Sequence, residues 1–201
     1  MPLFHGPRYA PPYDSPIEDV FAWNVVKYLS PDVVLLRQRA VSTPYGEFKL
    51  DFTLALGNRE IGVECDGKEF HQGTRDEWRD AFIFRHSQIE AIYRIGGKEI
   101  NYAIERVLQL LSKDIPEFFS KRGIEHLARL VAFANKPLDE ETPNGPSMRP
   151  FYLNRESRSD SRWFETLLNF ADSRPWLTSI AELSLAFSEH LQARTDDEPP
   201  F

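Results

Sequence analysis

Two strand-like runs, 48–56 and 60–66, are separated by little more than the turn signal Gly57-Asn58. Apolar residues occupy alternate positions in both runs, which is the period of a β-strand. Because so short a connection joins antiparallel neighbours, the pair predicts a β-hairpin. A third strand-like run, 33–38, precedes the hairpin and is followed by the turn signal Pro44-Tyr45-Gly46. The sequence therefore predicts three consecutive strands.

Helical patterns flank these strands on both sides. The run Ser15-Pro16-Ile17-Glu18 forms a capping box with proline at the first helical position, which predicts a helix through about Leu29. Further helical patterns cover 75–90 and 99–112, with a short buried strand at 91–95 between them. This order predicts an α/β (α+β) fold with a mixed sheet and helices on its faces.

The length of 201 residues allows one domain, or one domain with an appendage. Residues 1–14 form a proline- and aromatic-rich irregular arm that either covers the fold or frays. The predicted core spans 15–115, and 116–201 form a helical extension with helices at 118–135, 161–172 and 178–194. Four prolines and an acidic run make 136–150 a linker. The last two helices either dock on the core or provide a homodimer surface.

Composition narrows the cellular setting and the kind of partner. The single cysteine, Cys65, cannot form a disulfide within the chain, which suits a reducing cytosol. No apolar run reaches the roughly 18 residues of a membrane span, and the N-terminus lacks signal-peptide features. We therefore expect a cytoplasmic protein without a membrane partner. The net charge of -7 argues against a histone-like polyanion binder, but metal-binding carboxylates also make nuclease sites acidic.

Three acids fall on the predicted hairpin. Glu64 and Asp66 point to one face of their strand, and Asp51 on the preceding strand lies opposite them. Carboxylates that converge in this way repel one another unless a hard cation neutralises them, and oxygen ligands suit Mg²⁺ or Mn²⁺. The predicted metal ligands are Asp51, Glu64 and the backbone carbonyl of Cys65. Glu18 on the first helix is a fourth acid that reaches the cation directly or through water.

A structural interpretation competes with each of these assignments. Acids at strand ends usually face solvent, and a histidine such as His71 is more often a hydrogen-bonded polar residue than a catalyst. The acids here, however, alternate with apolar residues such as Ile61 and Val63, where packing disfavours unpaired charge. The combination favours a site over isolated surface residues.

At these positions the sequence resembles a known family over roughly residues 15–112. The resemblance is to small DUF559-type proteins, relatives of the very-short-patch mismatch repair endonucleases in the PD-(D/E)XK, or restriction-endonuclease-like, superfamily. The matching positions, in order, are Ser15, Pro16, Glu18, Arg37, Gln38, Asp51, Phe52, Glu64, Asp66, Gly67, His71, Asp76, Arg79, Asp80, Tyr93, Arg94 and Ile95.

The resemblance implies a nuclease core that hydrolyses DNA with Mg²⁺. Asp51 then takes the place of the first motif acid and Glu64 that of the second. Asp66 stands where the superfamily usually has a lysine, a departure that the DUF559-like branch shares. The group that activates the water is consequently either His71, which matches the histidine of the repair endonucleases, or Lys68.

Gln38 and Arg94 are the candidates for contacting the scissile phosphate or for holding the carboxylates. Arg79, on the following helix, is interpreted as an internal ion-pair partner, with phosphate contact as the alternative. Trp78 and Phe82 are predicted to be core residues.

The sequence thus predicts a metal-dependent endonuclease that acts on DNA. One alternative is a nuclease-like module without turnover that binds nucleic acid or a protein partner. The other is an interaction protein whose helical extension is the functional part. A segment with alternating basic and aromatic residues, 149–163, is interpreted either as a nucleic-acid contact or as a solvated packing segment.

Overall fold

The structure, a computed structural model, describes residues 6–67, 73–134, 154–157 and 161–196. The helices are α1 (Pro16–Val25), α2 (Gly73–His86), α3 (Gly97–Tyr102), α4 (Ile104–Asp114), α5 (Lys121–Ala134), α6 (Ser161–Asp172) and α7 (Ile180–Asp196). The strands are β1 (Val34–Thr43), β2 (Gly46–Leu56), β3 (Arg59–Asp66), β4 (Ile89–Gly96) and β5 (Asn154–Ser157).

In the described part of the chain, the strands form one mixed sheet in the order β1-β2-β3-β4-β5. The pairs β1–β2, β2–β3 and β4–β5 are antiparallel, whereas β3 and β4 are parallel. A parallel pair needs a crossover connection, and α2 provides it. The predicted hairpin and the mixed α/β class are therefore confirmed. A restriction-endonuclease-like fold stays a prediction.

One face of the sheet is covered by helices from the first two thirds of the chain. Phe21 of α1, Val107 of α4 and Leu127 of α5 pack with strand residues that include Phe52 and Val63. The burial of the Phe21 side of α1 fixes the position of the site residue Glu18, which lies on the same helix. Residues 6–14 of the predicted arm add to this cluster through Tyr9 and Tyr13, so this part of the arm covers the fold.

The opposite face of the sheet is covered by α2 together with α6 and α7. Trp78 of α2 is fully buried and lies against Phe170 and Phe187, with ring centroids 6.2 and 5.7 Å apart. Phe82, the other predicted core aromatic of α2, is also buried. The C-terminal helices therefore share a hydrophobic cluster with the predicted core region, as the docking alternative requires.

Some element boundaries differ from the sequence-based ones. The predicted helix 99–112 is two helices, because Ala103 leaves the helical region with φ −145°. The first helix ends at Val25 rather than near Leu29, whose backbone forms an isolated bridge to Phe119 instead. Strand β5 was not predicted, because a four-residue run of polar residues has no readable period. The predicted linker 136–150 lies outside the described residues.

Among the helices in the described ranges, none is both long enough and apolar enough to span a membrane.

Candidate functional site

The candidate site lies where β2 and β3 diverge. Their ladder ends at the pair Phe52–Val63, whereas β3 continues along β4 as far as the pair Asp66–Gly96. Beyond the last β2–β3 pair, the backbone N–H of Cys65 donates to Oδ2 of Asp51 at 2.8 Å. The carboxylate of Asp51 thus accepts the hydrogen bond that a backbone carbonyl of β2 would accept if the ladder continued. We call this divergence, with Asp51 and Glu64 on its two sides, the strand fork.

The backbone of β1 is irregular next to the fork. Pairs form at Arg37–Phe52 and Arg39–Leu50, but the intervening Gln38 and Asp51 are not paired. Gln38 has φ +49°, a left-handed conformation that is uncommon for a residue with a side chain. Such conformations cost free energy and concentrate at functional sites. Gln38, a predicted phosphate contact, thus lies opposite the first predicted metal ligand.

The irregularity also changes which face β2 presents. Alternate residues of a strand normally share one face, yet Leu50 belongs to the cluster under α2 and Phe52 to the cluster under α1. The strand therefore rotates at Asp51. As a result, Asp51 interacts electrostatically with Glu18 of α1 as well as with Arg79 of α2.

Glu64 faces α2 and is only 7% exposed. Nη2 of Arg79 donates to Oε1 of Glu64 at 2.5 Å and to the backbone carbonyl of Lys49 at 2.6 Å. Lys49 belongs to β2 and Glu64 to β3, so the guanidinium group bridges the two strands across the fork. The interpretation of Arg79 as an internal ion-pair partner is confirmed.

Arg94, next to Glu64 in the β3–β4 register, holds a second carboxylate. Its Nη2 donates to both carboxylate oxygens of Asp80 at 2.8 Å, and Asp80 is 1% exposed. Nη1 of Arg94 also lies 3.9 Å from Oδ1 of Asp66. Burial alone would lower the pKa of Arg94, but the Asp80 carboxylate raises it above its ordinary value, so Arg94 stays charged. Arg94 thus holds the carboxylate of Asp80, which was not among the predicted site acids, and its contact with the scissile phosphate stays a prediction.

Glu18 is buried at the start of α1, where it completes the predicted capping box. Its backbone N–H donates to Oγ of Ser15 at 3.3 Å, and Oγ of Ser15 donates to its Oε1 at 2.7 Å. The N–H of Asp14 donates to the second oxygen at 3.3 Å. Glu18 therefore caps a helix and also adds negative charge near Asp51.

The two acids of the fork bind protons more tightly than ordinary carboxyl groups. Burial raises the pKa of Asp51 to about 6, and the negative charges of Glu18 and Asp66 add to this increase. The hydrogen bond from the N–H of Cys65 and the positive charge of Arg79 act in the opposite direction and lower the pKa. Burial likewise raises the pKa of Glu64 to about 7, with Asp51 contributing, although Arg79 opposes the shift. Burial and the surrounding acids also raise the pKa of the Cys65 thiol, which stays protonated.

The described residues of this network carry more acid than base. The described part of the network contains five carboxyl groups and two guanidinium groups, those of Arg79 and Arg94. The five are Glu18, Asp51, Glu64, Asp66 and Asp80. The arginines therefore cannot neutralise all five if every acid is ionised. The remaining negative charge adds to burial, which is the main cause of the raised pKa values at the fork.

The structure thus brings Glu18, Asp51, Glu64, Asp66 and Arg94 into one network, with Gln38 opposite Asp51. Lys68 and His71 lie outside the described residues. Within the described ranges, no three His, Cys, Asp or Glu side chains lie close enough together to form a ready metal-binding group. The ligand role of the Cys65 carbonyl stays a prediction.

Sequence reasoning did not assign Asp80 to the site, although the resemblance includes it. Its signal was an acid one helical turn before the apolar residues Ile83 and Phe84.

Comparisons with protein-family models, with curated proteins and with solved structures find no match to this chain.

Proposed function

We propose that this protein is a metal-dependent endonuclease that hydrolyses phosphodiester bonds of DNA, with Mg²⁺ or Mn²⁺ as its cofactor. The observation that carries the proposal is the pair Asp51 and Glu64 at the strand fork, whose pKa values are raised to about 6 and about 7. Two carboxylates held near each other at this cost are stabilised when a divalent cation binds between them.

The donor set fits a hard cation. Asp51 and Glu64 offer carboxylate oxygens, the Cys65 carbonyl is a third candidate, and Asp66 and Glu18 supply further negative charge. Such a cation, once bound, would polarise a phosphate oxygen and lower the pKa of a water molecule. The excess of acids over arginines in the network supports this assignment, because a divalent cation offsets it.

The other residues of the network position these groups. Asp80 fixes the guanidinium group of Arg94, which in turn lies beside Asp66. Gln38 lies opposite Asp51 in the β1–β2 register and is proposed to contact a phosphate group at the fork. Lys68 or His71 is proposed to orient or deprotonate the attacking water.

Support for DNA as the substrate comes from the resemblance of residues 15–112 to the repair-endonuclease family. In that interpretation the shared motif positions fall on Asp51, Glu64 and Asp66, all three of which belong to the network around the fork. Recognition of the phosphate backbone by arginine and glutamine side chains is common in DNA-binding proteins.

A second candidate function is a module without turnover that binds nucleic acid or a protein partner. One observation favours it: Arg79 already forms an ion pair with Glu64 at 2.5 Å. An internal cation that satisfies Glu64 leaves less need for a metal ion.

The cleavage test compares plasmid nicking by the wild type, Asp51→Asn and Glu64→Gln in Mg²⁺ and in Mn²⁺. We expect each site variant to lose about a hundredfold or more in rate, as when one charge-stabilising group is removed from an active site. Glu60→Gln is the matched control. This acid lies at the other end of β3 from the fork, and its carboxylate is 2.9 Å from the guanidinium group of Arg39. Equal rates in all variants would overturn the proposal. DNA binding by a wild type that cleaves no DNA would instead support the second candidate.

A further inference from the structure

The contact between Arg79 and Glu64 carries an inference that rests on the proposed function. We propose that Arg79 is a positioning residue that acts as an internal counter-cation, so that a divalent cation must displace its guanidinium group to bind Glu64. The metal ion and Arg79 then compete for the same carboxylate.

The geometry supports direct competition. The 2.5 Å contact joins one nitrogen of Arg79 to one oxygen of Glu64, and the same nitrogen donates to the Lys49 carbonyl. Glu64 accepts this bond on a side chain that is only 9% exposed. A cation that approaches Glu64 therefore meets a positive charge within bonding distance, and Coulomb repulsion over a few ångströms is large in a partly buried site.

Arg79 is also able to leave Glu64. Its side chain is 18% exposed, whereas the side chain of its neighbour Arg94 is 9% exposed. Arg94 is held by two bonds to Asp80, while Arg79 makes only a 3.9 Å contact with that carboxylate. Of the two charges that oppose a metal ion, the guanidinium group of Arg79 is thus the more exposed, and it lacks the two-bond contact that holds Arg94 to Asp80. Once displaced, it is well suited to bind a phosphate group.

A purely structural ion pair makes a different prediction. If Arg79 only holds the fork together, its removal loosens Asp51 and Glu64 and weakens any metal site. If Arg79 competes with the cation, its removal strengthens metal binding. The direction of the change in affinity therefore separates the two roles.

The experiment is Mn²⁺ titration by isothermal calorimetry at about pH 8, without DNA. The variants are Arg79→Met, which removes the charge but keeps a long side chain, and Arg79→Lys, which keeps the charge. Arg85→Met is the matched control on the same helix, because Arg85 pairs with the exposed Asp172. Asp51→Asn tests whether the binding occurs at the fork. Circular dichroism verifies that each variant is folded.

We expect Arg79→Met to bind Mn²⁺ about tenfold more tightly than the wild type. Arg79→Lys and Arg85→Met should stay within about threefold of the wild type, and Asp51→Asn should lose binding. Equal or weaker binding by Arg79→Met would overturn the competition while leaving the proposed metal site standing. Absence of Mn²⁺ binding in both the wild type and Arg79→Met would overturn the competition and the proposed metal site together. If Arg79→Met does not fold, the test uses Arg79→Lys, which is expected to bind Mn²⁺ about as tightly as the wild type. Clearly tighter binding by Arg79→Lys would overturn the competition.

Discussion

The backbone N–H of Cys65 donates to the carboxylate of Asp51 at 2.8 Å, just beyond the last β2–β3 pair. A side chain of one strand thereby satisfies the backbone of the next strand at the point where the two diverge. The contact fixes Asp51 beside Glu64, and it also explains why a half-buried carboxylate persists there. The bond favours the ionised form of Asp51, but it does not offset the cost of burial.

The first prediction concerns stability and pH in metal-free buffer with EDTA. Asp51 and Glu64 keep their protons up to about pH 6 and about pH 7 in the folded protein, but release them near pH 4 when the chain unfolds. The folded state therefore binds more protons between these values, and the free energy of unfolding should fall as the pH rises from about 4 to about 7.

Asp51→Asn removes part of this dependence, because asparagine mimics the protonated acid and still accepts from Cys65. We expect the variant to be about 1–2 kcal/mol more stable than the wild type at pH 8, after allowing for solvent screening, and equal to it below pH 4. Urea unfolding at both pH values measures the difference. The exposed β2 acid Glu47 provides the control Glu47→Gln, and an equal gain there would contradict the assignment to Asp51.

The second prediction separates the two contributions of Glu18. Glutamine also serves in a capping box, so Glu18→Gln should preserve α1 while it removes the charge that helps to raise the pKa of Asp51. We expect the pKa of Asp51, measured by carbon NMR titration, to fall below about 6. Ser15→Ala is the counterpart variant: it should cost about 1 kcal/mol of stability and leave the charge of Glu18 in place. An unchanged pKa in Glu18→Gln would place Glu18 outside the network.

The third prediction compares two arginine–carboxylate pairs made by α2. Asp80 is buried against Arg94, so Asp80→Ala should leave a buried guanidinium group without its partner and cost about 3–5 kcal/mol. Asp172→Ala breaks the exposed pair with Arg85 and should cost less than about 1 kcal/mol. Urea unfolding followed by tryptophan fluorescence measures both. Similar losses in the two variants would show that the Arg94–Asp80 pair has no special role in stability.

The fourth prediction tests whether the C-terminal helices belong to the core. Phe187 of α7 is 2% exposed and contacts Trp78, so Phe187→Ala should cost about 3–5 kcal/mol. Leu185, two residues earlier, is 64% exposed, and Leu185→Ala should change stability by less than about 0.5 kcal/mol. Thermal unfolding compares the two variants. A small effect of Phe187→Ala would mean that α7 is dispensable for the fold.

This packing also affects how the site is tested. Removal of everything after Ser112 would expose the apolar side of α2, including Trp78 and Phe82. Because α2 carries Arg79 and Asp80, such a truncation would disturb the site as well. Point variants are therefore better suited than truncation for assigning activity to residues 15–115.

Local patterns in the sequence were sufficient for the elements that carry the site. The period-two alternation and the Gly57-Asn58 turn predicted the β2–β3 hairpin, and the capping box predicted the start of α1. The same alternation placed Val63 and Cys65 on the face opposite Glu64, as in the structure. These features depend on neighbours within a few residues, so the sequence alone determines them.

The partners of the charged residues depended on tertiary structure. Arg79 meets Glu64, and Arg94 meets Asp80, only because α2 crosses the sheet face on which β3 and β4 lie side by side. The rotation of β2 at Asp51 and the left-handed backbone of Gln38 likewise arise where two strands fail to pair, which no local pattern reports.

The hairpin, the capped helix and the acids at 51, 64 and 66 follow from the sequence by itself. Only the packed fold decided which of those acids is buried and which one an arginine neutralises. It also decided how strongly each acid holds its proton. The physical reason is that the free energy of a charge depends on its solvation and on the charges around it. Here those charges come from residues as far apart in the chain as Glu18 and Arg94.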